Sequence, residues 1–206
     1  MPLPEMFDIF DEQMVRIGTD SRNNAHAKGL WHQTFHCWVV NPSVGKGGSL
    51  LFQLRHMSKD TFPGRLDTSC AGHLQAGETV EDGVRELQEE LGLAVPYEDL
   101  IYCGMAAEES RPAPGLIDRE FSHVFLYTCD QELEKYRFQR EEISGLFFVN
   151  IPEFRQLVSG ETDALTIEGI VADEESQHVS REQRLVRLED FTPNSEEYYH
   201  LLFKHL

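Results

Sequence analysis

The sequence is short of positive charge: 18 Lys and Arg stand against 36 Asp and Glu, a net charge of −18. Such a chain repels polyanions, which argues against a nucleic-acid duplex or an anionic membrane as a bulk electrostatic partner. A phosphorylated small molecule stays open, provided a divalent cation mediates the contact. Long apolar runs are missing as well, and nothing approaches the roughly 18 residues of a membrane span. The opening "MPLPEMFDIFDEQ" is acidic and lacks the basic-then-apolar order of a signal peptide. Cysteine is sparse and scattered: Cys37, Cys70, Cys103 and Cys129 include no C-x-x-C pair. That weighs against a zinc site or disulfide framework and for reduced core thiols. No internal repeat or low-complexity tract is visible. A soluble cytoplasmic protein is expected.

What is present suits one domain of ordinary size, because 206 residues with 13 Phe can fill a core. "MFDIFDEQMVRIGT" alternates around an acidic turn and predicts a hairpin. A polar stretch with "RNNAHAKG" precedes "FHCWVV" (35–40), apolar enough for a buried strand. "LLFQLR" is its natural hairpin partner across the glycine-rich "NPSVGKGGS". The "VGKGG" there lacks the spacing of a phosphate loop and has no helix after it, so it is a hairpin loop. "LIYCGMAA", "REFSHVFLYT" and "GLFFV" predict strands, and "IPEFRQLVS" a short helix. Residues 160–190 are acidic, polar and irregular, and "EEYYHLLFKHL" closes with amphipathic spacing. The mixture is α/β or α+β, with strands outnumbering helices. The expected division is a main domain over 1–160 and an extension over 161–206, ending in a helix and packed on the same domain. Dimerisation or capping of a site is left open for that extension.

One stretch, "GHLQAGETVEDGVRELQEELGL" (72–93), puts five Glu and one Asp into twenty-two residues with a single Arg. Thr79 fits an N-cap, with Asp82 completing a shortened capping box, and Gly92 fits the position just past a helix end. Val80, Val84, Leu87 and Leu91 form an apolar stripe at ~100° per residue. Glu86, Glu89 and Glu90, spaced i+3 and i+4, gather on another face, where each like-charge pair costs a few tenths of a kcal/mol. Hard divalent cations want such carboxylate oxygens, and Mg2+ binds through a few of them plus substrate phosphates. A solvated acidic face is the competing reading, and spacing alone does not decide between the two.

The order of residues adds to the spacing. The stretch resembles the Nudix box, G-x5-E-x7-R-E-U-x-E-E-x-G-U with U aliphatic: Gly72, Glu78, Arg85, Glu86, Leu87, Glu89, Glu90, Gly92 and Leu93 supply every named position. The resemblance implies a Nudix-type α/β/α sandwich with a mixed β-sheet over residues 1–160. It implies a pyrophosphohydrolase dependent on Mg2+ or Mn2+, acting on a diphosphate bond in a nucleoside diphosphate-linked or related small molecule. Glu86, Glu89 and Glu90 would ligate the metal with the Gly72 carbonyl, Arg85 would orient the carboxylates, and Glu86, Glu89 and Arg85 would be the catalytic set. Many relatives recruit a carboxylate from outside the box; Glu141, Glu142 and Glu120 are available, and Glu142 is the one retained as a metal ligand. One departure stands out. The family has seven residues between the first Glu and the Arg, and here Thr79 to Val84 make six. A one-residue shift turns a helix ~100°, so the loop must absorb it or the Glu78–Arg85 contact is lost.

The wider chain resembles the subgroup related to isopentenyl-diphosphate isomerase, in "HAKGLWHQTFHCWVV", "FPGRLDTSCAGH" and "REFSHVFLYT". That resemblance adds His26, His32 and His73 as candidate metal ligands, and isomerisation of an allylic diphosphate as the alternative function. Against it, the isomerase thiol lies two residues before the His of C-G-H, where this chain has Ala71. Cys70 is one residue early, which in extended chain aims its side chain to the other face. The complete R-E-U-x-E-E pattern favours a hydrolase, and also disfavours a non-catalytic ligand sensor. The substrate-binding residues are not legible. Trp31, Phe35, Trp38 and Phe62 are available to stack on a ring or to pack the core, and Arg111 and Arg119 to meet phosphate or solvent.

Overall fold

β-branched and aromatic residues concentrate in the segments that pair. In the computed structural model, which describes residues 4–173 and 178–206, β1 (Met6–Phe10) and β2 (Arg16–Ser21) form the expected antiparallel hairpin. The large sheet is built from β3 (His32–Asn41), β4 (Ser49–Arg55), β5 (Leu66–Asp67), β6 (Cys70–His73), β7 (Ile101–Ala113), β8 (Leu116–Thr128), β9 (Ile143–Asn150), β10 (Leu165–Ala172) and β11 (Val179–Val186). Its order is β11-β10-β9-β4-β3-β8-β7, with β5 beside β4 and β6 beside β3. The β3–β8 pair is parallel and the other pairs are antiparallel, so the sheet is mixed.

Among the described residues four α-helices join the strands: α1 (Arg22–Lys28), α2 (Arg85–Leu91), α3 (Ile151–Val158) and α4 (Glu196–Lys204). Strand alternation divides the apolar side chains between two faces. Phe35, Cys37 and Phe125 pack with Leu87 and Leu91 of α2 on one face. Trp38, Phe52 and Phe147 pack with Phe154 of α3 and Tyr198 and Leu202 of α4 on the other. The result is the α/β/α sandwich that the resemblance implies.

β3 and β4 are hairpin partners only where Val40 and Asn41 meet Leu50 and Ser49. Beyond that point they diverge, and the short β5 and β6 take up the freed edges. A cleft opens between the splayed ends.

Three segments differ from the sequence reading. The polar "RNNAHAK" is helix α1, started by Ser21, whose side chain accepts from the Asn24 N–H, and ended by Gly29 at φ 63°. "EESRPAPGLIDRE", left open as an insertion that meets phosphate or as a surface loop, continues β7 and β8 up to the turn after Ala113, with Glu109 and Arg119 paired across the strands. Residues 160–190, expected to be irregular, contain the β10–β11 hairpin. There Leu165 and Ile167 are buried and alternate with exposed Thr166 and Glu168; the acidic residues on the outer face mask the period of two.

Candidate active site

The box begins on β6, turns at Gly77 and enters α2 through a 3-10 turn at Asp82–Val84. Thr79 does not cap the helix as expected. Its N–H and hydroxyl both donate to the Asp82 carboxylate, at 2.7 and 2.8 Å, which secures the turn ahead of α2. Gly92 caps the other end at φ 70°. A 3-10 turn advances ~120° per residue against ~100° in an α-helix. Three such residues regain about 60° of the ~100° that the shortened spacing removes.

The Glu78–Arg85 contact is therefore kept. Arg85 Nε and Nη2 donate to the two Glu78 oxygens at 2.8 and 2.9 Å, a forked pair of the strong kind. The same guanidinium reaches Glu86, Glu89 Oε2 at 3.1 Å and the His73 carbonyl at 3.2 Å. One cation thus offsets the crowding of acids on this face.

Glu86 and Glu90, one turn apart, are buried in the cleft, while the Glu89 side chain is 53% exposed. Burial pushes the Glu86 carboxyl up to about 7, against the opposing pull of Arg85, and the Glu90 carboxyl up to about 8. Glu90 also accepts from the Ala71 N–H at 3.2 Å. Gly72 is dictated by this packing, because a Cβ there would lie 2.2 Å from the Glu86 carboxyl carbon.

Across the cleft stands a second cluster. His26 of α1, His32 of β3, His73 of β6 and Asp118 of β8 bring one ligand atom each to within 4.8 Å of one another. Asp118 Oδ1 is 3.6 Å from both His26 Nε2 and His32 Nε2, and Glu120 Oε1 is 3.5 Å from His73 Nε2. The three Nε2 atoms and Asp118 Oδ1 are buried and have no hydrogen-bond partner among the described residues. Burial holds His32 and His73 neutral, down at about 3, and pushes Asp118 and Glu120 up to about 7. His32 Nδ1 lies 3.0 Å from the Leu30 carbonyl; donating there, it leaves Nε2 bare and aimed inward. Phe7 stacks on His32 and His73 and seals the outer side. Buried polar atoms without partners are costly, and neutral imidazoles converging with a carboxylate are the donor set that suits a divalent first-row cation. The residues fit a metal.

Both clusters border one cavity of about 490 Å3, which Arg22, Arg55 and Lys59 also line, a size usual for a small-molecule site. Glu142 borders it with its carboxylate held by Lys59. Glu141 is exposed and does not border it. Arg111 and Arg119 do not border it, and both are bound to Glu109, which does. Phe62 lines it at a positive φ of 46°, whereas Phe35 and Trp38 are core and Trp31 stacks on Phe121. Ala71 faces the cavity, and Cys70 is buried on the α2 side of the sheet, its thiol against the Glu90 carboxyl. Sequence reasoning missed Asp118, Arg22, Arg55 and Lys59 as a group. Asp118 and Glu120, two apart on a strand, were the one readable hint of a shared face.

A doubly covered mixed sheet with a carboxylate-bearing helix at its cleft defines a class of diphosphate-processing domain, and comparison with known proteins specifies it. The NUDIX domain family model matches residues 30–167. An uncharacterized Nudix hydrolase of Clostridium acetobutylicum is 41% identical over 202 residues, 98% of this chain and 97% of that one. Isopentenyl-diphosphate Delta-isomerase 2 of Photorhabdus laumondii is 28% identical over 190 residues, covering 89% of this chain and 100% of its own. A crystal structure of a protein from Deinococcus radiodurans superposes with a TM-score of 0.56 at 25% identity, covering 76% of this chain and 90% of the other. The chain belongs to the Nudix family. It is an enzyme acting on a pyrophosphate bond, and enzymes of this family generally use divalent metal ions. Among the described residues no helix is long and apolar enough to cross a membrane.

Proposed function

We propose that this enzyme hydrolyses the phosphoanhydride of a nucleoside diphosphate-linked or related small molecule, with Mg2+ or Mn2+ bound. The observation that carries this reading is the buried pair of box carboxylates, Glu86 and Glu90, lining one cavity with Arg22, Arg55 and Lys59, while Arg85 ties the exposed Glu89 to Glu86 at its edge. Glu86, Glu89, Glu90 and the Gly72 carbonyl would hold the box cation, with Glu142 beside them on Lys59. His26, His32, His73 and Asp118 would hold a second. When bound, such cations acidify water and neutralise charge building on phosphoryl oxygens.

The chain's own residues do the rest. Arg85 fixes Glu86 and Glu89 in place. The three cations bind and orient the phosphates, which supplies much of the rate in phosphoryl transfer. Glu120, buried beside the histidine cluster, takes the proton of the attacking water.

The histidine–aspartate cluster and the isomerase relatives favour a second reading, isomerisation of an allylic diphosphate. The thiol argues against it. Ala71 occupies the cavity position, and burial beside Glu90 and Glu86 pushes the Cys70 thiol far above its usual range, so it stays protonated rather than nucleophilic. The test is a phosphate-release screen over nucleoside di- and triphosphates, dinucleotide polyphosphates, sugar nucleotides and isoprenoid diphosphates, with Mg2+ and with Mn2+. In parallel, NMR follows isopentenyl diphosphate for conversion to dimethylallyl diphosphate. Metal-dependent release from one class without that conversion is expected. Conversion at an enzymatic rate that Cys70→Ala abolishes overturns the hydrolase reading.

A further inference from the structure

The C-terminal helix reaches the reaction centre through two side chains, Tyr198 and His36, that the box and the metal clusters do not use. On β3, His36 and Trp38 share one face, two residues apart. Tyr198 of α4 is fully buried against them. Its hydroxyl oxygen accepts from Trp38 Nε1 at 3.0 Å and lies 2.9 Å from His36 Nδ1 and 3.4 Å from Thr68 Oγ1. The other ring nitrogen, His36 Nε2, lies 3.8 Å from Glu120 Oε2, which also accepts from Thr34 at 3.4 Å and Ser122 at 3.5 Å.

The protons in this array follow from what each group can do. An indole N–H only donates, so the Tyr198 oxygen accepts there. Its own single proton goes to the nearer acceptor, His36 Nδ1, and Thr68 donates to Tyr198. His36 Nδ1 is then bare and Nε2 carries the hydrogen, facing a carboxylate oxygen. The opposite tautomer would set a bare nitrogen lone pair against the carboxylate that the proposed proton transfer needs ionised, which is repulsive. At 3.8 Å the His36–Glu120 contact is longer than a hydrogen bond, and such contacts in catalytic sites tighten when substrate is bound.

We infer that His36 and Tyr198 are positioning residues for Glu120: Tyr198 fixes the Nε2–H tautomer of His36, and that N–H orients the Glu120 carboxylate toward the cavity. This rests on Glu120 serving as the proton acceptor in the proposed hydrolysis. It makes α4, 162 positions downstream of His36, a working part of the site as well as a packing element.

Ring-nitrogen NMR of the metal-free protein reads the tautomer directly. The Nε2–H form of His36 is expected in the parent and a tautomer mixture in Tyr198→Phe. Kinetics on the best diphosphate substrate supply the second arm. Tyr198→Phe and His36→Leu should lower kcat about ten- to a hundredfold, the range of an ångström-scale misplacement, with KM changed less than about threefold. His36→Gln, which keeps an amide donor near the Nε2 position, should recover most of that loss. Melting temperatures measured alongside confirm that each variant is folded. A parent His36 in the Nδ1–H form, a Tyr198→Phe with parental kcat, or a His36→Gln no better than His36→Leu overturns the inference and leaves the hydrolase reading intact. A parent that hydrolyses no diphosphate removes both.

Discussion

The carboxylates of the box come from a single stretch, Glu78 to Glu90, whereas the facing cluster is collected from α1, β3, β6 and β8, from position 26 to position 118. In the first, the ligand spacing is a helical repeat and the one cation, Arg85, travels with it. The second has no repeat. Its geometry is set by the parallel β3–β8 register, in which His32 lies opposite Glu120, and by β6 lying antiparallel on β3, with His73 opposite Thr34. The two also differ in charge. The box is acids held by a guanidinium. The cluster is neutral imidazoles beside two carboxyls, with four buried ligand atoms that have no hydrogen-bond partner among the described residues. A local cluster tolerates repulsion because its counter-charge is local too, and an assembled one depends on what binds it.

The largest effect expected of any single change is at the buried end of the box. Glu86→Gln should reduce hydrolysis by about 10²–10⁴-fold. Gly72→Ala should do similar harm without touching a ligand side chain, since its Cβ would displace the Glu86 carboxylate. Steady-state rates with Mg2+ settle both. Glu89→Gln should also impair hydrolysis by more than tenfold, though less than Glu86→Gln because its carboxylate is half exposed. Parental rates in all three would show that the box is not the metal site.

The assembled cluster is sharpened by titration with Mn2+. His32→Ala should weaken binding at one class of site by at least the ~10–100-fold that loss of even a supporting group costs, while Glu86→Gln weakens the other class. Calorimetry that finds a single class, equally affected by both variants, would merge the two clusters into one.

Stability against pH separates them again. For Glu86, Glu90, Asp118 and Glu120 the folded-state values lie above the ordinary ones. The unfolded chain therefore sheds protons first, and metal-free stability falls as pH rises from about 4 through about 8. His32 and His73 are depressed to about 3, so their contribution grows as pH rises from about 3 to 6.5 and is then constant. Above pH 6.5 only the carboxylates act. The metal-free melting temperature should decline from pH 6.5 to 8, and millimolar Mn2+ should reverse the decline by favouring the ionised forms. A rise over that range without metal would contradict the burial of these acids. The smallest effect belongs to Cys70→Ala. It should change hydrolysis by less than about threefold and cost on the order of 1 kcal/mol in denaturant titration, as a small truncation in a core.

The sequence by itself determined the parts governed by short-range periodicity. Leu87 and Leu91 face the core at helical spacing, Glu86 and Glu90 recur one turn apart, and alternation on β3 sends His36 and Trp38 to one face and Cys37 to the other. Gly92 ends α2 because the αL cap suits a residue without Cβ. These are properties of neighbours in the chain, so the chain displays them. Tertiary structure decided what depends on distant partners. The strand character of residues 165–172 and 179–186 appeared only once Leu165, Ile167 and Ile170 had a core to face. The survival of the Glu78–Arg85 pair depended on a 3-10 turn that no residue pattern announced. The convergence of His26, His32, His73 and Asp118, and the approach of Tyr198 to His36, depend on strand order and register, which fix separations of a few ångströms between residues many tens of positions apart. Periodicity fixes directions along one element, and only packing fixes distances between elements.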